Sequence, residues 1–257
     1  MIATLLTLFM TLFLPLNGNG SSRTPYLLLP AEYTALVEDP TVAQDKTTEL
    51  YKKLGLEEDK LSFQAFKLGV EGYDRIERKN RAVLTIIDFS KPSTQERMFV
   101  IDMEHEKLLY STLCAHGKNS GGNYATSFSN QVNSHKSSLG FYLTGETYKG
   151  GNGYSLRLDG LEKGINDHAY ERSIVVHGAR YVSEQVAEQG RLGRSFGCPA
   201  VPTALAVPII NAIKDGSVLY IYAQDNRYIT RSKIARMPSN QAELHANAHQ
   251  PGSEQNS

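Results

Sequence analysis

SIVVHGARYVSEQVAEQGRLGRSFGCPAV, Ser173 to Val201, is the stretch whose reading decides the fold. Ile174-Val175-Val176 is short, β-branched and bounded by a glycine, which predicts a buried strand delivering His177-Gly178 at its end. A polar insert carrying Gly190 and Gly193 suits a loop or short helix folding back. The chain then returns through Arg194-Ser195-Phe196-Gly197 to Cys198-Pro199. This layout brings an imidazole at a strand end towards a thiol in a glycine-flanked turn. A thiol is a strong nucleophile only as its thiolate, and a neighbouring histidine is the usual means of producing one. Gly197 lets backbone approach a substrate, and the N–H groups of Gly197 and Cys198 are candidates to hold an oxyanion. Taken singly, a cysteine and a histidine read as an inert buried thiol and a satisfied core imidazole. Their joint pattern points instead to a nucleophile and its base.

Working outward, the period is that of strands. AVLTIIDF from residue 82, MFVIDM from 98 and KLLYSTLCA from 107 are three β-rich runs separated by turns, a meander. Leu139 to Thr144 and Tyr154 to Leu158 add strands around the turn Gly150-Gly151-Asn152-Gly153. Val218 to Tyr222 alternates as a closing strand, after a helix over Val207 to Lys214. Earlier, Thr47 to Leu54 and Phe63 to Leu68 read as short helices. The second is capped by Ser62 and stopped at Gly69. Pattern alone therefore gives a mainly β protein with a few helices, an α+β class.

The organisation follows. Residues 1–20 hold an apolar run and then Asn17 to Ser22, small and polar, which reads as a secretory signal peptide of an exported protein, without a basic residue ahead of it. An uncleaved anchor is the alternative. Residues 21–80 are lead-in and short helices, residues 81–223 the catalytic domain, and residues 224–257 a polar, disordered tail. With 257 residues and 27 basic against 27 acidic side chains, no global field favours nucleic acid or an anionic membrane. In an exported protein two cysteines first suggest a disulfide. Cys114 lies in a strand as a small hydrophobe, however, and a bond to Cys198 would silence the thiol, so two free thiols are expected. The seven histidines form no HExxH motif and pair with no CxxC. Neither metal nor cofactor is expected.

His177-Gly178 followed by Ser195-Phe196-Gly197-Cys198 resembles the signature of the YkuD-type L,D-transpeptidases, which remodel bacterial peptidoglycan. The murein L,D-transpeptidase catalytic domain branch is closer still. It matches at LTIIDFSKPS (Leu84 to Ser93), HGKNSG (His116 to Gly121) and SSLGFYLTGETYKGGNGYSLRLDGLEKGIN (Ser137 to Asn166), over about residues 45 to 223. Two positions depart from the common motif. Phe196 stands where a histidine is usual, and Ala200 where an arginine is usual.

The resemblance implies a flattened β-barrel or sandwich, in the periplasm or cell envelope, acting on stem tetrapeptides of peptidoglycan. Cys198 would attack the carbonyl of the L,D-linked third residue, His177 would move the protons, and Gly178 or Ser195 would orient the imidazole. An amine from a second stem would take the acyl group. Water in its place gives an L,D-carboxypeptidase, and loss of chemistry a silent wall-binding homologue. Arg194 is the candidate to replace the missing arginine, since its fork matches a carboxylate. His116, at the head of a loop matching the branch, and Tyr154, in the glycine turn, are the other candidate substrate contacts.

Overall fold

The structure, a computed structural model, describes residues 40–236. The expected signal segment and most of the lead-in lie outside them, as does the sequence beyond 236. Among the described residues no helix is long and apolar enough to cross a membrane.

One eight-stranded sheet dominates. Its strands are β1 (Val83–Asp88), β2 (Glu96–Asp102), β3 (Lys107–Leu113), β4 (Gly140–Gly150), β5 (Gly153–Gly160), β6 (Val175–Ala179), β7 (Ala200–Pro202) and β8 (Val218–Tyr222). They lie in the order β3-β2-β1-β8-β4-β5-β6-β7. The meander β1-β2-β3 is antiparallel, as its short turns require. The parallel pairs are β1 with β8 and β6 with β7. The two ends of the sheet meet, because Ala115, just past β3, exchanges hydrogen bonds with Ala200 of β7 (2.8 and 3.3 Å). The result is a near-closed barrel, which leaves few unpaired edge groups. This is the mainly β architecture with short helices that the sequence and its resemblance predict.

Five helices accompany the sheet, α1 (Pro40–Lys53), α2 (Phe63–Arg75), α3 (Glu184–Ala187), α4 (Thr203–Ile213) and α5 (Asn226–Arg231). Ser62 caps α2 by accepting from the Ala65 N–H at 3.3 Å. The helix does not stop at Gly69. A Cβ at Gly69 would come within 2.9 Å of Ile86 Cδ1, and one at Gly72 within 2.0 Å of the Phe141 ring. Both glycines let α2 lie close on the sheet and do not mark its end. α4 starts earlier than expected and contains Pro208.

β8 does not close the sheet, nor does it alternate. It runs between β1 and β4 with all five residues buried, because α2 covers one side and the barrel interior the other. Residues 224–236, read from composition as part of a polar tail, include the short helix α5. Glu162, buried, accepts from the Phe141 N–H (2.8 Å) and the Tyr228 hydroxyl (3.2 Å), and it also contacts the Ser232 hydroxyl. These bonds draw α5 onto the sheet, with Tyr228 and Ala235 in the core. A few well-placed apolar residues sufficed where composition read as polar.

Candidate active site

β6 delivers His177 as expected, between Ser155 of β5 and Ala200 of β7. Gly178 faces the other way. A Cβ there would meet Ala206 Cβ at 2.9 Å, so glycine is what admits α4 on that side. The His177 Nδ1–H donates to its neighbour's carbonyl, Gly178 O, at 3.0 Å, which fixes the tautomer with Nε2 free to accept a proton. Burial lowers the pKa of the imidazole, against the opposing pull of that hydrogen bond, so the ring rests neutral.

Cys198 lies two residues before Ala200, the β7 partner of His177, and the His177 N–H donates to the carbonyl of the intervening Pro199 at 3.4 Å. Its thiol donates to Ser173 O at 3.6 Å. Ser173 adopts φ 53°, a conformation uncommon outside glycine, which turns its carbonyl towards the sulfur. Burial pushes the thiol pKa up. The Val175 N–H, the Arg172 charge and the cysteine's own N–H pull it down by less. Burial thus favours the neutral form of both the thiol and the imidazole. Cys114 is wholly buried and unbonded to Cys198, and burial pushes its pKa to about 12.

The turn before Cys198 is held from two sides. Ser195 Oγ donates to Cys198 O (2.6 Å) and accepts from the Gly197 N–H (3.1 Å). Ser195 is therefore a staple of the turn, and Gly178 alone orients the imidazole. The Gly197 N–H, expected at the oxyanion, is spent on Ser195. Gly197 itself has φ 126°, and a Cβ on it would sit 2.9 Å from Lys136 O. From beneath, Ser137 Oγ donates to Gly197 O (3.1 Å) and accepts from the Gly117 N–H (3.0 Å).

Three expected substrate contacts lie elsewhere. His116 is fully buried. Its Nδ1 accepts from Arg97 Nη2 at 2.8 Å and its Nε2 faces Gly121 O at 3.4 Å, so both ring nitrogens serve the interior. It acts through its backbone, whose carbonyl accepts the Ser195 N–H at 3.0 Å. Arg194 donates through Nη1 to Gly121 O (2.8 Å) and Lys118 O (3.2 Å), tying down the same loop. Tyr154 belongs to the opposite face of β5, beside Asn211 of α4, whose Oδ1 accepts its hydroxyl at 3.0 Å. The cation that does approach the cysteine turn is Arg172. It donates to Ser129 O (2.7 Å) and Ser138 Oγ (3.1 Å), and a Cβ on Gly197 would lie 3.2 Å from its Nη2.

Against known families, residues 57–222 match the L,D-transpeptidase catalytic domain model. The chain belongs to the L,D-transpeptidase catalytic domain family. Solved structures similar to this domain include an L,D-transpeptidase from Mycobacterium smegmatis, 15% identical over 55% of this chain and 59% of that one, with a TM-score of 0.35. Another is an L,D-transpeptidase from Mycobacterium tuberculosis, 13% identical over 55% and 57%, TM-score 0.37. A third is the helical cell shape determining protein Pgp2 from Campylobacter jejuni, 15% identical over 71% and 61%, TM-score 0.39. The chain thus spans about three fifths of those chains. No curated protein matches it.

Proposed function

We propose that this L,D-transpeptidase domain is a cysteine acyltransferase acting on peptidoglycan stem tetrapeptides in the cell envelope of a bacterium. The observation that carries the reading is the pairing of His177 with Ala200, only two residues past Cys198, while Gly178 O holds Nδ1. His177 Nε2 takes the thiol proton as sulfur attacks the carbonyl of the third stem residue. The oxyanion forms against the Cys198 N–H. The tetrahedral adduct collapses to a thioester as the imidazolium protonates the departing D-amino acid's nitrogen. An amine of a second stem then attacks the thioester, giving up its proton to His177 and restoring the thiol. The catalytic domain spans residues 81–223, behind short helices over 21–80 and an exported leader at residues 1–20.

The test is incubation with a disaccharide-tetrapeptide followed by mass spectrometry, with Cys198→Ala as control. A cross-linked dimer made only by the wild type supports the proposal. A tripeptide would make water the acceptor and the protein an L,D-carboxypeptidase. Unchanged substrate would mean a silent wall-binding homologue, and turnover by Cys198→Ala would remove the mechanism altogether.

A further inference from the structure

A stem peptide is rich in carboxylates, and the motif position that usually offers an arginine holds Ala200. Arg172 and Arg194 are both committed to backbone carbonyls. Arg157 of β5 is placed differently. Ser155 stands opposite His177 and Arg157 opposite Val175, so alternation puts Arg157 on the His177 face. As a diagonal neighbour its Cα lies roughly 7–8 Å from that of His177. Tyr148 of β4, directly opposite Ser155, shares the same face.

The guanidinium lies over two rings. Its centre lies 4.6 Å from the Tyr148 ring centroid and 5.2 Å from that of Tyr170. Tyr170 belongs to the turn that ends at the thiol, since its carbonyl accepts the Ser173 N–H (3.0 Å) and Ser173 O in turn faces Cys198 Sγ. Arg157 Nε donates to Glu146 Oε1 at 3.1 Å. Among the described residues none accepts from either Nη group. The two ring contacts and the Nε bond hold the guanidinium in place and leave both Nη groups to donate, which suits a carboxylate bound by two hydrogen bonds.

We propose that Arg157, over the rings of Tyr148 and Tyr170, is the carboxylate-recognising residue of this site and sets its preference for stem peptides with a free carboxylate. This rests on the function proposed above. The carboxylate belongs either to the side arm of the third residue or to the D-glutamate before it, and selective amidation separates the two.

The experiment uses the full chain with the free tetrapeptide and with two peptides, each amidated at one of those carboxylates. For Arg157→Gln, KM for the free peptide should rise roughly tenfold to hundredfold, the loss expected for a hydrogen-bonded charge pair, with kcat little changed. The variant should no longer distinguish the free peptide from the one whose amidation weakens the wild type. Arg157→Lys should recover part of the loss. Alkylation of Cys198 by iodoacetamide should keep its rate, which excludes a collapsed site. An unchanged KM in Arg157→Gln, or a rise that is equal for free and amidated peptides, overturns the proposal. Calorimetric binding to Cys198→Ala separates the two readings. If the wild type turns over no peptide, yet free peptide binds better than amidated in an Arg157-dependent way, the acyltransfer reading fails and this one stands. Equal binding of free and amidated peptides there overturns this one.

Discussion

Acidification should destabilise this protein through His116, a fully buried residue. Its Nδ1 accepts a hydrogen bond from Arg97, which is itself fully buried and donates also to Cys114 O (2.7 Å) and Lys91 O (3.0 Å). A proton on Nδ1 would break the first bond and set two cations against each other in the interior. Burial, reinforced by the Arg97 charge, lowers the His116 pKa from 6.5 to about 4. Below pH 6.5 the unfolded chain takes up a proton that the folded protein refuses until about pH 4. The stability is therefore complete above 6.5 and is lost as the pH falls through that window. At about 1.4 kcal/mol per pKa unit the loss reaches about 3 kcal/mol, a large fraction of the 5–15 kcal/mol typical of a domain.

Substitution with glutamine isolates the effect. Its carbonyl can accept from Arg97 and its amide can donate to Gly121 O, but it does not titrate. His116→Gln should cost about 1–2 kcal/mol at pH 7 for imperfect geometry. The cost should shrink as pH falls and vanish or reverse near pH 4.5. Other groups, His177 included, are common to both proteins and cancel. The assay is urea unfolding followed by far-UV circular dichroism from pH 7 to 4.5, since the chain has no tryptophan. Parallel stability curves for the two proteins would refute the reasoning, because they would mean that the imidazole titrates alike in the folded and unfolded chains.

Ser195→Ala removes the bond to Cys198 O and leaves the Gly197 N–H without its partner, so stability should fall by about 1–3 kcal/mol. kcat should fall at least about tenfold with KM little changed, and steady-state kinetics with unaltered kcat would show that the turn holds itself. Cys114→Ala should cost of order 1 kcal/mol and leave activity unchanged. Thiol counting on unreduced, unfolded protein should find two free cysteines, and activity that appears only after reduction would contradict it.

What the sequence reveals of this fold follows from what each signal measures. The run VLTIID is buried along its whole length as β1, and such unbroken apolar text is legible because a strand covered on both faces has no polar side to show. Val218 to Tyr222 is equally buried but contains two tyrosines, whose polar tips suggested an exposed face. Gly69 and Gly72 carry the composition of a helix stop, yet their use is the approach of Ile86 and Phe141, a contact made across the fold. The site divides in the same way. Strand, imidazole and thiol stand in local text. The partners of Ser195, His116 and Arg172 depend on which polar side chains the barrel brings beneath the turn. Arg172 reaches back to Ser129 and Ser138, far away in the chain.

The two departures from the common motif have physical causes in this barrel. Ala200 gives both of its backbone groups to Ala115 and packs its methyl among Leu113, Ala179, Val182, Ala187 and Leu192, the small apolar cluster where the sheet closes. An arginine there would have to bury its charge among aliphatic side chains, at a cost that no partner on hand would offset. Closure of the sheet thus excludes the motif's cation from this position. Positive charge reaches the site from beneath the turn at Arg172 and from the neighbouring strand at Arg157. Phe196 answers the other departure. Its ring is 66% exposed, stacked on His135 at 4.5 Å with the Lys118 ammonium 4.4 Å from its centroid. Where the motif has a titratable imidazole, this chain presents an apolar rim that carries no proton. In the proposed mechanism the acid–base work falls to His177, and the proposed discrimination among substrates falls to Arg157, outside the motif.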